Sequence, residues 1–230
     1  MPPKVIFLMA DYGHDPTETA IPWQVFQNAG FEVSFATEKG ASPQCDEKML
    51  SGWTGTLLGA NKAGKKAYGA LSTTSPNFQN PLAWNDTSFS LADYDLVFLP
   101  GGHEKGVRQI IDSPRVHELL ASYFPETKKP SRKSVAAICH GVQVLAMTST
   151  GEGKSVLHDV KTTALPAFME QGIFHATKLF LGDYYKTYGA GTASVENVIK
   201  TKLADKAQFA SSLKPSPYVV TIEGPKTQQI

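Results

Sequence analysis

The chain has 230 residues, of which 41% are hydrophobic, 10% aromatic and 19% charged. That composition supplies ample apolar surface for a core and excludes the disordered and fibrous classes. Lys plus Arg (22) nearly balances Asp plus Glu (21), a formal charge of +1, so the basic excess of a nucleic-acid binder is missing. No apolar run approaches the ~20 residues that span a bilayer, and the opening residues read as a first strand rather than a signal peptide. The two cysteines, Cys45 and Cys139, argue against a disulfide scaffold or a Cys-rich zinc site. A reducing, cytoplasmic setting is the expectation, with a free thiol available for chemistry.

Short β-rich runs alternate with helical patterns, which predicts βαβ units around a mostly parallel sheet. Residues 4–9 (KVIFLM) are apolar on both faces, as a buried central strand should be. A helix is expected over 17–29, stopped by Gly30, and a second strand over 31–36. From about Pro43 to Ser90 the rhythm breaks. Connections in such folds run roughly 2 to 6 residues, so this stretch is an insertion. Two readings of it stand side by side: a lid carrying Trp53, Tyr68 or Trp84 over the strand ends, or decoration covering a sheet edge. A third strand is expected over 94–99, an amphipathic helix over 114–124, and a fourth strand over 134–139 running straight into a helix over 142–147. Beyond these come a strand pair around 155–165, helices near 168–180 and 195–203, and a last strand near 218–222. The whole, residues 1–230, reads as one domain with the insertion at about 43–90.

The strongest local signal is Ala137-Ile-Cys139-His140-Gly141 between an apolar strand and a helix. This is a nucleophile elbow with Cys at its apex: the small residues two before and two after leave room for a turn that pushes the sulfur out at the sheet's carboxyl edge. The helix that follows directs its positive end at that sulfur, which favours thiolate over thiol, and the His140 amide faces the place where an oxyanion would form. The alternative is a buried structural cysteine. Pro100-Gly101-Gly102-His103 ends the preceding strand at the same edge, where two glycines let the backbone approach a substrate. Asp15-Pro16-Thr17-Glu18 makes a good helix start, with Asp15 as N-cap and Glu18 closing a capping box. Pro22, four residues after Glu18, would deform that helix and aim the carboxylate into the crevice. Capping and catalysis are both open for Glu18. The six histidines show no metal-binding spacing, and His117 falls on the exposed side of its helix.

Three motifs, in this order, carry a family resemblance: Asp15-Pro-Thr-Glu18-Thr-Ala-Ile-Pro22, Leu99-Pro-Gly-Gly-His103 and Ala136-Ala-Ile-Cys-His-Gly141. Together they resemble the ThiJ/PfpI superfamily, class I glutamine amidotransferase-like proteins, and within it the larger heat-shock-chaperone-like branch that includes glyoxalase III enzymes. The resemblance implies a flavodoxin-like, doubly wound α/β fold. It implies Cys139 as nucleophile, Glu18 as the carboxylate that holds it, and His140 as proton shuttle. Gly101, Gly102 and His103 would form the oxyanion and substrate side, and Glu170, some thirty positions after the Cys, would orient the His. The activity implied is conversion of small reactive carbonyl compounds, methylglyoxal to lactate, with no cofactor and no metal. Other members imply an amidase or peptidase working through an acyl-cysteine, a redox-sensing chaperone, or a tailoring enzyme of secondary metabolism. The partner expected is a small molecule, with no nucleic acid and no membrane, and a homodimer is a candidate assembly.

Overall fold

The structure is a computed structural model, and it describes residues 1–212 and 218–221. In chain order the elements are β1 (Lys4–Leu8), β2 (Tyr12–His14), α1 (Pro16–Asn28), β3 (Glu32–Thr37), β4 (Gln44–Cys45), α2 (Gly52–Leu57), α3 (Lys62–Thr74), α4 (Pro76–Gln79) and β5 (Leu82–Ala83). There follow β6 (Leu96–Leu99), α5 (Arg108–Ile111), α6 (Pro114–Tyr123), β7 (Ser134–Ala137), α7 (Gly141–Met147), α8 (Ala167–Leu181) and α9 (Val195–Lys200). The central sheet has the order β5-β3-β1-β6-β7, and every pairing in it is parallel. With β5 set aside this is the flavodoxin-like order, which reverses direction between β1 and β6. The expected doubly wound α/β fold is therefore the one observed.

The apolar pattern of β1 follows from burial on both faces. Val5, Phe7 and Met9 pack with Trp23 of α1 and Leu71 of α3, while Ile6, Leu8 and Ala10 pack with the layer that holds α5, α6 and α7. Phe98 sides with the first layer, and Val97 and Leu99 with the second. Period-two alternation across a covered sheet needs both kinds of position apolar, and the chain supplies them.

The insertion belongs to this frame. β4 pairs with β2, and β5 adds a strand beyond β3. α3 lies so close against α1 that a Cβ at Gly64 would sit 2.7 Å from Thr17 Oγ1. Trp84 is 1% exposed, and its Nε1 donates to the Met9 carbonyl at 3.2 Å. Tyr68 is also buried, its hydroxyl accepting from the Cys45 amide at 2.9 Å, whereas Trp53 faces solvent. The lid reading would bring one of these side chains to the site, but two are core and one is surface, and none lines the two cavities beside His140.

Two further expectations fail. No strand pair forms over 155–165: a single antiparallel bridge joins Ser149 to Ser155, and consecutive turns then drop Val156 and Leu157 into the core. Thr162 instead bridges in parallel to Phe209. Of the last expected strand, residues 218–221 carry no regular structure and Ile222 lies outside the described residues. Among the described residues, no helix is long and apolar enough to cross a membrane.

The core position of Trp84 gives a direct check. Trp84→Ala should cost about 3–5 kcal/mol in urea unfolding, the range for a large buried aromatic. A loss below about 1 kcal/mol would return the segment to the status of a surface flap.

Candidate active site

Three chain segments meet at the carboxyl edge of the sheet where its order reverses: the start of α1, the loop after β6, and the turn after β7. β7 hands over to α7 in three residues, closed by Gly141 N donating to the Ile138 carbonyl at 2.7 Å. Cys139 sits at the apex with φ +52°, the sole non-glycine residue with positive φ among those described. Such a conformation costs of order 1–3 kcal/mol and persists only when neighbours enforce it. They do so by contact. A Cβ at Gly141 would lie 2.2 Å from the Leu99 carbonyl oxygen, and one at Gly101 would lie 2.4 Å from Glu18 Oε2 and 2.7 Å from Cys139 Cβ. The elbow and the glycine loop can close on each other only because both positions lack a side chain.

At the start of α1 the two acidic residues divide the work. Asp15 caps the helix, its Oδ1 accepting from Thr17 N at 2.7 Å and Glu18 N at 3.1 Å. Its own amide donates to the Gly101 carbonyl at 2.9 Å, so the reciprocal half of the expected capping box does not form. Glu18 turns inward instead, where Oε2 accepts from the Gly101 amide at 3.0 Å and the carboxyl hydrogen-bonds the Cys139 side chain. The helix runs unbroken through Pro22, so no kink is needed to aim that carboxyl. Burial first, and the nearby Asp15 charge second, push Glu18 up to about 8; at neutral pH it is a protonated acid.

Several influences meet at the sulfur. Burial first, and negative charge on Glu18 and Asp15 where they ionise, act to raise the Cys139 thiol, while the His140 amide acts to lower it. These oppose the lowering expected from the end of α7, a helix of seven residues, although Cys139 itself is only partly buried. Beside it stands a ring nitrogen. His140 Nδ1 lies 3.3 Å from Cys139 Sγ, and burial drives the imidazole down to about 3, so the ring is neutral in the resting protein.

Other sequence-derived candidates land nearby with different partners. The Gly101 amide is engaged by Glu18, and Gly102 packs its Cα against the Gly13 carbonyl at φ +147°. His103 is clamped between aromatic rings, stacked on Tyr185 at 4.5 Å and edge-on to Tyr184 at 4.6 Å. Its Nε2 stands 3.6 Å from Asp46 Oδ2 with no hydrogen-bond partner among the described residues. Glu170 is buried close to His140, but its oxygens accept from Lys186 Nζ at 2.7 Å and Val195 N at 2.8 Å rather than from the ring. His117, away from the site, is tied to the Ile111 carbonyl at 2.8 Å rather than simply solvated.

Sequence reasoning passed over the wall that closes the site. Residues 182–194 cross from α8 to α9 and attach to every side of the crevice. Asp183 pairs with Lys105 at 2.8 Å, and the Tyr184 hydroxyl donates to Asp46. Thr187 donates to the His103 carbonyl at 2.9 Å, and Tyr188 to Asp112 at 2.6 Å. Glycines with positive φ bracket these contacts at Gly182, Gly189 and Gly191. The signal available in sequence was Asp-Tyr-Tyr-Lys-Thr-Tyr between two glycines, aromatic residues where a plain loop would be polar. His14, noted in sequence only as lacking metal-site spacing, is 2% exposed, packs on Tyr68 and Phe78, and has no hydrogen-bond partner for either ring nitrogen among the described residues.

Two measurements test this electrostatic picture. Iodoacetamide should label Cys139 more slowly than a free thiol at pH 7 and accelerate steeply above pH 8; rapid labelling at pH 6–7 would restore the low-pKa thiolate. His14, pushed by burial to about 3, stays neutral in the fold while the unfolded chain takes up a proton below pH 6.5. Its folded value is depressed, so stability is lost as pH falls below 6.5. His14→Phe should therefore gain about 2 kcal/mol at pH 5 relative to its effect at pH 7, read from urea titrations. An equal effect at both values would mean that His14 is not buried neutral.

Comparison with known proteins agrees with this architecture. Residues 9–217 match the family model described as ThiJ/PfpI family-like. Protein C14C4.04 of Schizosaccharomyces pombe is 34% identical over 175 residues, covering 74% of this chain and 62% of that protein. The glutathione-independent glyoxalase hsp3101 of the same yeast is 28% identical over 153 residues, covering 64% of this chain and 56% of its own length. The chain thus spans less than two thirds of either relative. Among solved structures, glyoxalase III from Candida albicans superposes with a TM-score of 0.67 at 18% identity, over 95% of this chain and 87% of that one. Motifs, sheet order and family model converge, and the chain belongs to the ThiJ/PfpI family.

Proposed function

We propose that the protein is a cofactor-independent enzyme that converts small dicarbonyl compounds to hydroxy acids, methylglyoxal to lactate being the type reaction. One observation carries the reading: a cysteine at a strained elbow with a neutral imidazole nitrogen 3.3 Å from its sulfur and a protonated carboxyl hydrogen-bonded to it. That is a nucleophile with its base and its acid already in place. The names of the relatives point the same way, glyoxalase hsp3101 and the protein/nucleic acid deglycase HchA of Staphylococcus aureus, the latter 26% identical over 172 residues.

In the proposed course, Sγ attacks the aldehyde carbon while its proton passes to His140 Nδ1, and Glu18 gives its proton to the aldehyde oxygen. The product is a hemithioacetal. The Glu18 carboxylate then removes the hydrogen from that carbon, and the imidazolium protonates the neighbouring carbon. The hydroxyl proton of the first carbon passes to the oxygen of the second, which leaves a 2-hydroxyacyl thioester. Water cleaves the thioester to the hydroxy acid and the free thiol. The acyl-cysteine hydrolase reading has less support, because one amide of the glycine loop, that of Gly101, is held by Glu18 and is not offered to an oxyanion. A redox sensor has less support, because the ring nitrogen beside the sulfur is a group that such a sensor does not need.

Purified protein given methylglyoxal without glutathione should release lactate, and Cys139→Ala should lower the rate by at least about 10³. Glu18→Gln keeps an acceptor for the Gly101 amide but loses the transferable proton. It should cost about 10²–10³ in kcat with little change in Tm. Activity should be flat from pH 5 to 7 and fall above about 8 as Glu18 ionises. No consumption of methylglyoxal or glyoxal by the folded protein would end this reading.

A further inference from the structure

A second small cavity adjoins His140 on its way to α8. His140, Gln143, Glu170, Thr187, Thr192 and Val195 line it. It leaves room for about one water molecule, and a water held in protein ordinarily makes about three hydrogen bonds. Its lining is unbalanced in a specific way. Gln143, in the first turn of α7, is 3% exposed, and its Oε1 has no hydrogen-bond partner among the described residues. Glu170 is 4% exposed and offers its remaining lone pairs, for Lys186 and the Val195 amide use one oxygen each. The threonine hydroxyls donate elsewhere, Thr187 to the His103 carbonyl and Thr192 to the Gly189 carbonyl at 2.7 Å. The cavity therefore presents acceptors at Gln143 and Glu170, and the ring of His140 brings a donor to its wall. An unpaired buried acceptor costs about 1–3 kcal/mol, so Gln143 Oε1 has reason to hold a donor.

We propose that this cavity binds a single structural water, which accepts the His140 Nε2–H and donates to Gln143 Oε1 and to the Glu170 carboxylate. Gln143 is thereby a positioning residue for His140. The arrangement fixes the tautomer: with the hydrogen held on Nε2, the Nδ1 lone pair must face Cys139 Sγ, as a base requires. It also explains how Glu170 acts on a ring that it does not touch. Lys186, 2% exposed, holds that carboxylate in place at 2.7 Å, and the water carries its influence across the gap. The inference rests on the reading of His140 as the base at Cys139, but its central test needs no turnover.

Long-range ¹⁵N–¹H spectra of the resting protein should show His140 as the Nε2–H tautomer, with a water cross-relaxation signal at that hydrogen. Gln143→Met removes the acceptor at nearly constant length. It should lose the water signal and shift at least a tenth of His140 to the Nδ1–H form. Gln143→Glu, which keeps an acceptor oxygen, should restore the wild-type tautomer, and Gln143→Leu serves if the Met variant fails to fold. On methylglyoxal, Gln143→Met should lower kcat about tenfold with KM changed less than twofold. An unchanged tautomer and water signal in a folded Gln143→Met or Gln143→Leu protein would overturn the proposal. Were methylglyoxal not a substrate at all, the spectra would still decide the matter, because they are recorded without one.

Discussion

The whole site depends on how closely the loop after β6 approaches the start of α1. Two hydrogen bonds, Asp15 N to the Gly101 carbonyl and Gly101 N to Glu18 Oε2, tie them together over a gap that a single methyl group would wedge open. Because the loop is pinned there, the turn after β7 has only one place to go, and Cys139 is forced to positive φ above the Glu18 carboxyl. Sheet order, helix cap and nucleophile geometry are thus parts of one constraint, imposed at the point where parallel α/β sheets open a crevice.

The same closeness sets the charge state of the site. Three histidines, His14, His103 and His140, are held neutral by burial, while burial and mutual repulsion keep protons on Glu18 and Cys139. A dry crevice of this kind stores its reactivity in proton transfers between neighbours and not in a standing anion.

The fold was largely legible because its signals are local. The both-faces apolar run of β1, the Pro-Gly-Gly after β6 and the Cys-His-Gly after β7 each encode their own geometry, and order along the chain did the rest. Cys139, His140 and Glu18 came together as the motifs implied. What sequence could not give was partnership. Glu18 in a good N3 position looks like a cap until the Gly101 amide is seen on it. Glu170 at a suitable spacing looks like an orienting acid until Lys186 and Val195 are found on its oxygens. Trp84 and Tyr68, aromatic residues in a polar stretch, suggested a lid, but burial is decided by which helix the segment lies against. The ionisation of Cys139 is hard to read for a similar reason: a helix end is visible in sequence, whereas burial and the acids that face the sulfur are not.

The strap over 182–194 has a consequence for how substrate range can change. Its attachments are side-chain contacts to Lys105, Asp46, His103, Glu170 and Asp112, and its glycine-bracketed backbone lies outside the sheet and helix hydrogen-bond ladders. Replacing Tyr184 or Tyr185 would change what packs on His103 while leaving β1, β6, β7 and the elbow untouched. The surroundings of that ring are therefore set by side chains that the framework does not hold in its hydrogen-bond ladders.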